Sequence, residues 1–210
     1  MTDALALTRR SMIVLGGAAA LALLASGPLA AQEAPREIVE MSVGAADAPV
    51  TLIEYASFTC PHCASFHASV LPQIKANFID TGKVRLVYRE VYFDRPSLWA
   101  GMIARCAGQD RYFGVVDLLF RDQANWSRAA DAQGVVDGLF AIGRQAGLTD
   151  AAMDACLQDG EFAQALVTEF QKNATADSVD ATPSFVLNGE KLSNMPYSEF
   201  EARLNAAVGG

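Results

Sequence analysis

Residues 50–63 read VTLIEYASFTCPHC. The run VTLIEY at 50–55 is short and rich in β-branched and apolar residues, which favours a buried strand over a helix. Cys60-Pro61 then opens a helix expected over 60–77, because a proline in the first turn gives up an N–H that would have no helical partner anyway. Pro72 is expected to kink or divide that helix, since it lacks a donor and its ring crowds the preceding turn. VRLVYREV at 84–91 reads as a second strand. Strand, helix and strand in this order prefer a parallel pair with a right-handed crossover.

On either side of this unit the pattern changes. The polar segment 32–49, with Pro35, Gly44 and Pro49, reads as a tail leading into the first strand. Residues 97–178 read as helical: Val135, Leu139, Ile142 and Ala146 recur at spacings of three and four, Gly147 is placed to stop that helix, and Thr149 to cap the next. Two short strands, 184–187 and 191–193, flank Asn188-Gly189, a hairpin turn whose residues tolerate positive φ. A final helix is expected over 197–207. The order is βαβ, a helical block, then ββα, without internal repeats.

The chain has 210 residues, of which 51% are hydrophobic and 19% charged, enough for one well-packed domain and too apolar for a disordered chain. Its first 31 residues read as an export signal: Arg9-Arg10, an apolar run over 12–25, and an Ala-rich stretch with cleavage expected after Ala30 or Ala31. Gly16, Gly17, Ser26, Gly27 and Pro28 interrupt the run, which argues against a membrane span. The paired arginines resemble a twin-arginine signal but also suit the general route. Formal charge is −8, and without the signal 14 basic residues face 23 acidic ones. Sequence-independent binding of nucleic acid needs the opposite sign.

Cys60, Cys63, Cys106 and Cys156 all follow the export signal, so disulfide chemistry is permitted. Residues three apart at a helix start share one face at a separation a disulfide tolerates, so Cys60 and Cys63 can open and close a bond with little backbone movement. Cys60 sits where free N–H groups and the helix dipole stabilise a thiolate, and His62 is expected to add a donor or a positive charge. Cys60 is therefore the expected nucleophile and Cys63 the resolving thiol. Cys60, Cys63 and His67 also have the spacing of half a zinc site. Zinc needs a fourth ligand, with only His62 and the cysteines of the helical block to offer, so no metal is expected.

The order of elements, Cys60-Pro61-His62-Cys63 at a strand-to-helix junction, and TPSFVLNG at 182–189 resemble the DsbA-like family of thiol-disulfide oxidoreductases, from about residue 49 to 208. The resemblance implies an α/β fold: a thioredoxin fold over 50–96 and 179–210 with a helical domain inserted at 97–178. It implies a monomeric periplasmic enzyme that introduces disulfides into reduced or unfolded exported proteins. Its redox group would be the Cys60–Cys63 disulfide rather than a cofactor, and a DsbB-like membrane partner would reoxidise it. An isomerase or reductase kept reduced by a membrane partner is the alternative: Pro61-His62 favours the oxidase, while Thr182 before the proline also occurs in isomerases. A zinc-stabilised or redox-inert binding module is the reading from a different class.

The resemblance also assigns roles. An acid at the position of Glu54 relays a proton to the resolving thiol, whereas an outward-facing Glu54 would instead pair with Arg85 or Arg89. X-Pro bonds are usually trans, but the family's proline at the position of Pro183 is cis, and the residue before it, here Thr182, pairs its backbone with a substrate strand. Cys106 and Cys156 lie on apolar helical stripes and are expected to form a buried structural disulfide, the other possibility being two buried thiols. For Cys60, a thiolate pKa of about 3.5 to 5 and a potential on the order of −120 to −180 mV are expected.

Overall fold

The computed structural model describes residues 36–210, so the expected export signal lies outside the described residues. Five strands form one mixed sheet in the order β1-β3-β2-β4-β5. Strands β2 (Val50–Ala56) and β3 (Val84–Glu90) run parallel, joined by helices α1 (Pro61–Ser69) and α2 (Leu71–Ile74) and a π-helical turn at Lys75–Ile79. β4 (Ser184–Leu187) lies antiparallel to β2 and continues into β5 (Glu190–Ser193) through Asn188 and Gly189, both at positive φ as the hairpin required. Helix α9 (Tyr197–Gly209) ends the chain.

One expectation is corrected. The segment 32–49 is not tail throughout: Met41–Val43 forms β1, antiparallel to β3, anchored by a Met41 that is buried against the helical core. Three residues with one buried apolar side chain leave too little alternation to be read as a strand. The helix expected over 60–77 is divided near Pro72 as expected: it breaks at Val70, two residues before the proline, and continues through α2 into the π-helical turn.

Alternation along β2 assigns the two faces of the sheet. Leu52, Leu86 and Phe185 face α1 and α9, where Phe66, Phe200 and Leu204 complete one core. Tyr55 and Val186 face the other way and meet Phe170. Between β3 and β4 the chain inserts six helices: α3 (Arg95–Cys106), α4 (Gln109–Arg121), α5 (Gln123–Trp126), α6 (Ala132–Gln145), α7 (Asp150–Gln158) and α8 (Gly160–Ala176). This is the thioredoxin fold with a helical insertion. Thr149 caps α7 by accepting from the N–H of Ala152, and Gly147, at φ +81°, follows α6 as expected.

The insertion packs directly on the sheet. Ile103, Leu119, Val135, Leu139 and Met153 share one core with Phe58, Cys63 and Tyr88. The Arg105 guanidinium donates to both oxygens of Glu90, each at 2.6 Å, and the Tyr112 hydroxyl donates to Glu90 as well, tying α3 and α4 to the end of β3. A buried carboxylate requires such partners, and the bidentate geometry fixes the orientation of α3. Cys106 and Cys156 are joined by a disulfide between α3 and α7, with Cα atoms 6.5 Å apart.

Candidate active site

At the end of β2 the chain turns through Ser57, Phe58 and Thr59 into α1, and groups from the insertion hold this turn. The Ser97 hydroxyl accepts from the Phe58 N–H at 3.2 Å and donates to the Val91 carbonyl at 3.0 Å. Gln123 donates to the carbonyls of Phe58 and Cys60, at 2.8 and 2.9 Å. Thr59 donates to Asp94, the N-cap of α3, at 2.6 Å. The sequence offered no signal for Ser97 or Gln123, because a polar residue at a helix start or between two helices ordinarily faces water.

Cys60 is the N-cap residue of α1, with extended backbone (φ −79°, ψ 118°), and Pro61 follows at the first helical position. Its sulfur makes no capping hydrogen bond of standard geometry. It is nonetheless held well towards the thiolate, at a pKa of about 5. The hydrogen bond from the Cys63 thiol does most of this, opposed by partial burial and assisted by the Thr182 side chain and the N–H groups of Cys63 and His62. Cys63 is wholly buried, and the hydrogen bond to Cys60 together with desolvation pushes its pKa strongly up. One sulfur is thus prepared as a nucleophile and the other kept protonated. Both are free thiols here.

His62 contributes differently from the expectation. Its side chain is exposed, and what reaches Cys60 is its backbone N–H. Pro183 is buried, the Thr182–Pro183 bond is cis, and the Thr182 carbonyl accepts from Cys60 Sγ at 3.4 Å. Thr182 sits just before β4, outside its ladder.

Glu54 points inward. It is wholly buried on the α1 face of β2, and its negative charge contributes to raising Cys63. The alternative pairing is absent: Arg85 donates to Ser42, and Arg89 to Glu40, Tyr55 and Asp177. The partner of Glu54 is instead His67, whose Nε2 lies 2.9 Å from Oε1. His67 entered the sequence reading only as a zinc ligand. Its position one turn after Cys63 in α1 puts both on one helix face, a spacing that in hindsight marks it. Among the described residues no three or more His, Cys, Asp or Glu side chains gather as a metal would need.

The sequence profile described as "Thioredoxin" matches residues 36–206. The chain belongs to the thioredoxin family. A putative protein-disulfide oxidoreductase of Rickettsia bellii is 31% identical over 170 residues, covering 80% of this chain and 64% of the relative. Disulfide bond formation protein D of Bacillus subtilis is 24% identical over 176 residues, covering 80% and 77%. The crystal structure of Wolbachia pipientis alpha-DsbA1 superposes with a TM-score of 0.75 at 26% identity, covering 83% of this chain and 93% of that one. This thioredoxin-family chain spans 60 to 64% of the length of the rickettsial relatives it matches.

Proposed function

We propose that this protein is a thiol-disulfide oxidoreductase that donates its Cys60–Cys63 disulfide to reduced exported proteins in the periplasm, and that a membrane-bound redox partner reoxidises it. The observation that carries the reading is the opposite bias of the two thiols, Cys60 held near pKa 5 and Cys63 pushed up. A client thiolate attacks Cys60 Sγ of the disulfide, and Cys63 leaves and is protonated. A second client thiol then attacks the client sulfur of the mixed disulfide, and Cys60 leaves as a stabilised thiolate. Stabilising the leaving thiolate favours the reduced enzyme, which makes its disulfide a strong oxidant.

The cleft side of Cys60 suits varied clients. Thr182, beside Cys60 and before β4, presents main chain to an extended segment, and backbone groups are common to all clients. Among the described residues no helix is long and apolar enough to cross a membrane.

The direction of exchange is tested by trapping thiols of the protein in its own cell envelope. Cys60 and Cys63 predominantly oxidised is the outcome expected of a disulfide donor. A predominantly reduced pair would make the protein an isomerase or reductase.

A further inference from the structure

Cys63 must gain a proton when it leaves the disulfide and lose it when the disulfide re-forms, yet its side chain has no contact with solvent. Glu54, whose charge is felt at Cys63, is equally buried and cannot exchange with water directly. Its oxygen Oε1 is held by His67, while Oε2 has no hydrogen-bond partner among the described residues, and neither has His67 Nδ1. A hydrogen-bonding position therefore stands open at each end of the pair. Orphaned buried polar atoms cost stability, and their retention at one place calls for a function.

The His67 ring stacks on Phe120 of α4 at 4.0 Å between centroids and borders a cleft of about 660 Å³ between α1 and α4. Asp117 and Arg121 of α4 and Lys75 of the π-helical turn stand on the walls of this cleft, with Asp117 exposed. The enclosing chain raises the pKa of Asp117, against the pull of positive charge at His67, Arg121 and Lys75. From β3 the Tyr88 hydroxyl, also without a partner, completes the titratable groups around Glu54 and His67.

We propose that His67 carries the proton path of Cys63 on from Glu54 towards the α1/α4 cleft, exchanging protons with the carboxylate at Nε2 and, at the buried Nδ1, with water that enters from the cleft its ring borders. The proposal rests on the oxidoreductase reading and names how its buried step is served. In reoxidation Cys63 gives its proton to Glu54, the Cys63 thiolate attacks Cys60 Sγ, the Cys60–Cys63 bond forms and the partner sulfur leaves as a thiolate. The proton moves from Glu54 to Nε2 of His67 as Nδ1 releases one to the cleft. In client oxidation the same groups run in reverse.

The test follows the reduced protein with oxidised glutathione by rapid mixing. The first step, attack by Cys60, does not require Cys63 to lose its proton and serves as the control. The second, attack by Cys63 on the mixed disulfide, is expected to slow about 10²-fold in His67→Gln, whose amide still donates to Glu54 but carries no proton through. His67→Ala is expected to slow similarly and to recover when imidazole is added. A second step at wild-type rate in His67→Gln, or no recovery of His67→Ala with imidazole, overturns the proposal. A wild-type protein that forms no mixed disulfide would instead remove the oxidoreductase reading beneath it.

Discussion

Gln123 of the helical insertion donates its amide to the carbonyl of Cys60 at 2.9 Å, and the same nitrogen reaches the carbonyl of Phe58. The backbone of Cys60 is thus held by a helix that lies more than sixty residues further along the chain. This bond makes the insertion part of the site's scaffold. Gln123→Leu keeps the approximate volume but strips two carbonyls of a buried donor. It is expected to destabilise the protein by about 1–3 kcal/mol, measured by urea unfolding, while leaving the Cys60 titration near its wild-type position, because the groups that shift Cys60 are Cys63, Thr182 and the His62 N–H rather than Gln123.

Thr182 and His62 offer a second contrast. The Thr182 side chain stabilises the Cys60 thiolate, whereas the His62 ring is exposed and only its backbone N–H contributes. Thr182→Val is expected to raise the Cys60 pKa by about one pH unit, the order of a partly screened hydrogen bond to a charged group. His62→Ala should move it less. Absorbance titration of both variants checks the order, and a larger effect at His62 would return the role to the imidazole.

The disulfide between Cys106 and Cys156 spans 50 residues. In the chain-entropy account a loop of that length stabilises by about 4 kcal/mol, less any native strain. Its apolar surroundings, Met102, Phe162 and Leu166, form a cluster separate from the one that holds Cys63. The double variant Cys106→Ala/Cys156→Ala should therefore melt lower and still exchange disulfides at Cys60. Retained melting temperature in the variant would contradict the bonded pair.

The stability of the reduced protein should depend on pH through Cys60. Its folded pKa of about 5 lies below the unfolded value, so the contribution is fully present above the unfolded pKa of about 8.5 and is lost as pH falls through 5. Between pH 4 and pH 7 the gain over a Cys60→Ser reference should be about 1–2 kcal/mol, after allowing for solvent screening of a partly exposed group. Denaturant midpoints at the two pH values give the comparison. A gap that shrinks as pH rises would have the wrong sign.

Much of this site was legible in the sequence because its chemistry is local. Cys60, Pro61 and Cys63 sit within one helical turn, and Asn188-Gly189 fixes its own hairpin, so residue type and spacing suffice. Long-range relations were not legible. Glu54 and His67 are 13 residues apart, and only the crossover from β2 into α1 decides that they touch. Ser97 and Gln123 look like surface polar residues until the insertion is folded back on the active-site turn. The strand Met41–Val43 depends on an edge offered by β3, and nothing in its own three residues reports that edge.

At neutral pH Cys60 is expected to be a thiolate while Cys63 remains a thiol. The most direct measurement is the ultraviolet thiolate absorbance of the fully reduced protein, titrated from pH 3 to pH 10 and compared with Cys60→Ser. One thiolate should appear with a midpoint near 5 and vanish in the variant, with the second thiol silent through neutrality. A single transition at about 8.5, the value of an ordinary free cysteine, would contradict it.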